Sequence, residues 1–185
     1  MKIFFCASIR GKRGELYQRI VRILKNRARK VFANHILRTN QKKMDAWTPA
    51  EKDLYHKRVL ENLRKSDVVV AEISYPSMSI GYLIALSVSW QKPTIVLFFG
   101  KEAPNILSSL ESFGHLRVIE YQDIKEMEQY LKREIDLAIK ELDIRFTMLL
   151  PPEIVNFLNK VSREKNVPKS VYIRNLIKEN MKTKK

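Results

Sequence analysis

The sequence predicts an α/β protein: a doubly wound parallel sheet followed by a small C-terminal strand-helix-turn-helix unit. Three observations carry this. Short apolar runs alternate with stretches of helical spacing from residue 2 to residue 142, as in a parallel sheet covered by helices on both faces. Several of those runs are continuously apolar, which strands buried on both faces require. After Asp143 the pattern changes to an alternating strand and two short helices. The expected domains are therefore residues 1–142 and 143–185.

Each element has its own signal. Residues 2–9 (KIFFCASI) form a buried strand bounded by Arg10-Gly11, and residues 16–24 repeat apolar side chains at helical spacing. A second strand is expected at 31–37, then a basic polar loop through Asp45. Thr48-Pro49 with Glu51 combines a hydroxyl cap, a proline in the first turn and a returning carboxylate, so a helix starts there and runs to Lys65. Residues 67–73 (DVVVAEI) are a β-branched strand, 79–90 a helix and 94–99 a strand between Pro93 and Gly100. A short helix at 104–113, a strand at 116–120 and an amphipathic helix at 124–142 complete the sheet domain. Ligands of such sheets bind beyond the carboxyl ends of the strands, which directs attention to the loops after Ile9 and Ile73.

Charge is unevenly distributed. The chain of 185 residues carries a formal +15, divided as about +12 over 1–67, about −4 over 68–143 and about +7 over 144–185. A polyanionic partner is the expectation. The single cysteine, Cys6, supports neither a disulfide framework nor a cysteine-rich metal site. No apolar stretch approaches the ~20 residues that span a bilayer, and no signal-peptide cleavage pattern opens the chain, so a cytoplasmic protein without membrane contact is expected. His35, His56 and His115 lack metal-ligand spacing and read as structural or exposed; no metal or cofactor is expected.

In the C-terminal segment Phe146, Met148 and Leu150 alternate with Arg145, Thr147 and Leu149. Pro151-Pro152 ends the strand, residues 153–165 are helical, Asn166-Val167-Pro168 turn, and residues 170–181 form a second helix. So few residues cannot bury these apolar faces alone. Residues 144–181 resemble the ribbon-helix-helix family, whose paired strands enter the major groove of double-stranded DNA. The resemblance implies a homodimer or a dimer of dimers. Arg145, Thr147 and Leu149 would read bases, and Lys169 and Ser170 at a helix N-terminus would clamp a phosphate. Leu149 departs from the usual polar residue.

Residues 1–142 carry MKIFFCASIRG, HKRVLENLRKSDVVVAEISYPSMSIGY and NILSSLESFG in order. They resemble the Rossmann-like nucleoside 2-deoxyribosyltransferase superfamily, in particular its 2'-deoxynucleoside 5'-phosphate N-hydrolases. The resemblance implies a 5'-phosphate grip from Ser8, Arg10, Gly11, Ser77 and Ser108, the last supplied across subunits. It also implies a nucleophilic carboxylate where this chain has Leu83, a second acid where it has Val59, and a tyrosine where it has Phe4. Glu72 stands where those enzymes also carry a glutamate. With these positions apolar, no catalytic residue is expected. The leading expectation is a DNA-binding transcriptional repressor whose hydrolase-like domain is silent and senses a nucleoside monophosphate. The alternative is an active deoxynucleoside 5'-monophosphate N-hydrolase or deoxyribosyltransferase with a DNA-tethering tail.

Overall fold

The computed structural model describes residues 1–10, 14–100, 115–140, 142 and 148–183. Compactness divides the chain into one unit of Met1–Val88 with Lys92–Leu142 and another of Ser89–Gln91 with Asp143–Lys185.

The first unit is built on β1 (Lys2–Ala7), β2 (Lys30–Phe32), β3 (Val68–Glu72), β4 (Thr94–Phe99) and β5 (Leu116–Tyr121). Their order is β2-β1-β3-β4-β5 and every pairing is parallel. The order reverses between β1 and β3, the switch point at which doubly wound sheets open a crevice. Two bonds set the register there: the Lys2 amide donates to Asp67 Oδ2 at 2.6 Å, and the Asp67 amide donates to the Lys2 carbonyl at 2.8 Å.

Helices α1 (Gly14–Lys25) and α6 (Ile124–Lys140) cover one face. Leu16, Ile20, Met127 and Leu131 join Ile3, Phe5, Val70 and Ile95 in one core. Successive strand residues point to opposite faces, so Phe4, Cys6, Val69 and Ala71 are buried on the other side. The buried side chains of α4 (Pro49–Lys65) and α5 (Met78–Ser89) supply its cover: Val59 and Leu63 from α4, Ile80, Leu83 and Ile84 from α5. β3 is buried along its whole length, in line with its unbroken β-branched run. Removing a Val- or Leu-sized side chain from water contributes about 1.5–3 kcal/mol.

The helix start at Thr48 forms as expected. The Glu51 amide donates to Thr48 Oγ1 at 3.3 Å, and the Thr48 amide donates to Glu51 Oε2 at 2.8 Å. The Thr48 amide and the Thr48 hydroxyl, which also donates to Glu51 Oε2 at 2.8 Å, hold the Glu51 carboxyl below its usual range, the amide contributing most.

Residues 31–37 do not form one strand. β2 is the sheet edge and pairs with β1 over three residues only. The chain then turns into α2 (Asn34–Leu37), where the Ile36 and Leu37 amides donate to the Ala33 carbonyl at 3.0 Å. The helical turn satisfies backbone groups that have no further strand to pair with. The supposed loop through Asp45 also contains α3 (Gln41–Asp45), capped by Asn40 Oδ1 accepting from the Lys43 amide at 2.9 Å. Residues 104–113 lie outside the described residues.

In the second unit α7 (Pro152–Glu164) and α8 (Lys169–Thr183) form a helix pair. Asn166 takes φ 49° in the turn, a left-handed conformation that asparagine tolerates and that ends a helix. Leu158, Val161 and Val171 are buried, and Phe157 meets Tyr172 edge-on at 6.3 Å. Of the expected strand at 144–150, residues 144–147 lie outside the described residues, and 148–150 adopt no regular structure. Among the described residues no helix is long and apolar enough to cross a membrane.

Candidate active site

A cavity of about 910 Å³ opens at the switch point. Ser8, Ile9 and Arg10 after β1, Pro76, Ser77 and Met78 after β3, and side chains of α2 to α5 form its walls. Their assembly follows from the parallel sheet, which delivers both loops to the same edge.

Three of the expected phosphate ligands meet here. Ser8 is buried, and its hydroxyl accepts from the Arg10 amide at 3.3 Å. The Tyr17 hydroxyl donates to the Ser8 carbonyl at 3.1 Å, tying this loop to α1. Arg10 is exposed, and its Nε donates to Gln41 Oε1 at 3.0 Å. Gln41 in turn donates to Asp45 Oδ1 at 2.6 Å. The guanidinium is thus oriented by a chain of hydrogen bonds running along α3. Ser77, in the loop after β3, is half-buried and lines the same cavity. Gly11 and Ser108 lie outside the described residues.

The positions expected to lack carboxylates do face this site. Val59 and Leu83 line the cavity and are each 6% exposed. Phe4 is fully buried, with the His35 ring stacked on it at 4.8 Å and 9°. Among the described residues no carboxylate lines the cavity. Glu72 points to the other face of the sheet, where Tyr121 donates to its Oε1 at 3.1 Å. The Ser74 amide donates to the same oxygen at 3.1 Å, and so does the Ser74 hydroxyl. Ser74 Oγ also accepts from the Phe99 amide at 2.8 Å. Glu72 therefore shapes the loop that carries Ser77 and does not itself line the cavity.

Sequence reasoning did not single out Gln41 and Tyr55. His35, read from the sequence as structural or exposed, is buried beside the cavity with both ring nitrogens lacking a hydrogen-bond partner. Tyr55 donates to the His35 carbonyl at 3.3 Å and packs on Trp47 at 5.2 Å. The capping residue Asn40 was the available signal for α3. No local pattern announces His35, since its place depends on β2 ending early.

Similarity to known proteins bears on this geometry. No family model matches the chain. A mouse protein named 5-hydroxymethyl-dUMP N-hydrolase is 32% identical over 144 residues, covering 75% of this chain and 82% of the relative. The chain belongs to the family of these nucleotide N-hydrolases. A Tetraodon nigroviridis N-hydrolase of the same name is 38% identical over 100 residues, 53% of this chain and 70% of the relative. The CMP N-glycosidase of Clostridium botulinum shares the fold, with a TM-score of 0.55 at 16% identity over 72% of this chain and 98% of its own.

Membership in the N-hydrolase family overturns the expectation of a DNA-binding repressor with a silent domain. The relatives are nucleotide-processing enzymes, and positive charge suits a mononucleotide anion as well as a duplex. Leu149 is 99% exposed on an irregular segment; Lys169 and Ser170 are exposed at the start of α8; Arg145 and Thr147 lie outside the described residues. Relatives that act on mononucleotides give no support to double-stranded DNA as the partner. The homodimer or dimer of dimers inferred from a paired ribbon loses the argument that carried it. Nor does family membership support a domain without chemistry: Val59 and Leu83 identify which groups are missing, not that hydrolysis is absent.

Proposed function

We propose that the chain hydrolyses the N-glycosidic bond of 2'-deoxynucleoside 5'-monophosphates. The observation that carries this is the switch-point cavity, bearing Ser8, Arg10 and Ser77 on its walls, in a chain of the N-hydrolase family. The Arg10 fork, with the Ser8 and Ser77 hydroxyls lining the same cavity, suits a terminal phosphate. Val59 and Leu83 offer no partner to a 2'-hydroxyl, and burying one unpaired costs about 1–3 kcal/mol, which favours the deoxy sugar.

Leu83 also determines the route. An isobutyl group cannot form a glycosyl-enzyme bond, so the covalent intermediate that a retaining mechanism or base exchange requires is closed. Water attacks the anomeric carbon, the C–N bond breaks with its electrons going to the base, and the proton lost by water balances the one gained by the base. The products are free base and 2-deoxyribose 5-phosphate; hydrolysis is favoured over transfer. The C-terminal helix pair has no part in this reaction.

Free base is measured chromatographically with 2'-deoxynucleoside monophosphates, the matching ribonucleotides and the unphosphorylated nucleosides. Deoxynucleoside monophosphates are expected to be cleaved in preference to both. Arg10→Ala should raise KM roughly 10- to 100-fold, as loss of a charged hydrogen bond predicts. Absence of base release from every deoxynucleoside monophosphate would overturn the proposal.

A further inference from the structure

We infer that Ser74 is a positioning residue for phosphate binding: its hydroxyl, clasped by the Glu72 carboxylate and the Phe99 amide, fixes where Ser77 stands on the cavity wall. This rests on the reading of Ser77 as a phosphate ligand and extends it to the groups that hold that ligand in place.

The loop after β3 is anchored at both ends. At its start the Ile73 amide donates to the Leu97 carbonyl at 2.9 Å, and the chain then leaves the sheet. Ser74 follows, half-buried. Its amide donates to Glu72 Oε1 at 3.1 Å, and its hydroxyl donates to the same oxygen. That hydroxyl also accepts from the Phe99 amide at 2.8 Å, which joins the loop to the end of β4. At the other end the Ser77 carbonyl accepts from the Gly81 amide at 3.1 Å, so Ser77 is tied to the first turn of α5. Only Tyr75 and Pro76 lie between the two anchors, and proline fixes its own φ. So short and stiff a link passes any displacement of Ser74 on to Ser77.

The anchor itself is rigid. Glu72 is fully buried and so is Tyr121, whose hydroxyl donates to Glu72 Oε1 at 3.1 Å. The Tyr121 ring packs on Phe99 at 5.7 Å. One carboxylate oxygen therefore gathers three donors, the Ser74 amide, the Ser74 hydroxyl and the Tyr121 hydroxyl. In a low-dielectric interior such hydrogen bonds are strengthened, and a connected network of them specifies one arrangement. Of its side chains only Ser74 belongs to the loop; Glu72 and Tyr121 come from strands and form the floor on which it stands. None of the three lines the cavity. The cluster is thus no second reacting centre, and its effect on a ligand must pass through the loop to Ser77.

Calorimetry with 2-deoxyribose 5-phosphate reads the phosphate grip without turnover. Ser74→Ala should weaken binding about tenfold, as loss of one hydrogen bond predicts. Ser74→Thr, which keeps a hydroxyl, should bind within about threefold of the wild type. Because Ser74 acts through Ser77, Ser74→Ala should add nothing once Ser77→Ala is present. Losses that multiply, a threonine variant no better than alanine, or no loss at all would overturn the inference. So would a wild-type protein that does not bind the sugar phosphate. In turnover, KM for a 2'-deoxynucleoside 5'-monophosphate should rise by the same factor while kcat holds; a fall in kcat at constant KM rejects the positioning role. Should Ser74→Ala fail to fold, Tyr121→Phe decides instead. It deletes one hydroxyl from the anchor, keeps a ring on Phe99 and should weaken the sugar phosphate about threefold, an effect that vanishes in the Ser77→Ala background; unchanged binding, or the same loss in both backgrounds, sinks the idea. The two proposals fail separately. Base release with unaltered phosphate binding in Ser74→Ala removes this inference and leaves the hydrolase, whereas Ser74-dependent phosphate binding without base release does the reverse.

Discussion

A neutral histidine among apolar neighbours makes stability depend on pH. The folded pKa of His35 is about 4 against 6.5 for the free side chain. Between these values the unfolded chain binds more protons, so stability is full above about 6.5 and is lost as pH falls toward 4. The slope reaches roughly 1 kcal/mol per pH unit at most. Denaturant titrations at several pH values should show it in the wild type and a flatter line in His35→Phe; parallel lines would contradict the assignment. The Cys6 thiol is the opposite kind of buried group. Burial pushes its pKa up to about 12, so thiol reagents should leave the native protein unmodified until it unfolds. For the proposed hydrolysis, Leu83 is the position to change. Leu83→Glu, combined with Val59→Asp, places two carboxylates at the cavity and should accelerate base release roughly 100-fold or more. An unchanged rate measured on a folded variant would show that these positions do not face the reacting sugar.

At the scale of elements, α4 links stability to the site, because it is capped at Thr48 and carries Tyr55, His56 and Val59 on the cavity wall. Thr48→Ala removes the cap and should cost about 1 kcal/mol, seen as a fall of roughly 2–4 °C in Tm. KM should stay unchanged, since helix ends fray locally while the packed middle of α4 holds the wall. The capping box was legible from Thr48, Pro49 and Glu51 because its interactions join residues three apart. The strand expected through Leu37 was not: Val31, Phe32, Ile36 and Leu37 are equally apolar in a strand or a turn. The edge position of β2 decides between them. α3 lay between these cases, with Asn40 as its only local sign.

For the molecule as a whole, segregated charge should act on the rate of encounter. Arg10, Lys42 and Lys43 belong to the loop and helix at the cavity, within the basic first third of the chain. An anionic nucleotide is drawn by that field, which salt screens over about 10 Å at 0.1 M. Accordingly kcat/KM should fall with ionic strength while kcat holds steady; salt-independent kcat/KM would mean that the charge serves another purpose. The two-unit division bears on folding. A chain ending at Leu142 retains the whole sheet and its hydrophobic core, so it should unfold cooperatively and release base like the full chain. Loss of either property would show that the C-terminal segment contributes to the enzyme.

The sequence by itself determined the α/β class, the strands at β1, β3, β4 and β5, and the resemblance that pointed to nucleotide hydrolases. It also determined that Leu83 and Val59 stand where acids were expected. These depend on local periodicity and on residue identity, which are read in order along a chain. Only the tertiary structure decided that Gln41 orients Arg10, that Glu72 turns away to Tyr121, and that His35 lies on Phe4 with both nitrogens unmet. Such relations join residues from different elements. They exist only once strands pair in a particular order, because pairing places distant loops at one edge of the sheet and withdraws water from the atoms between them.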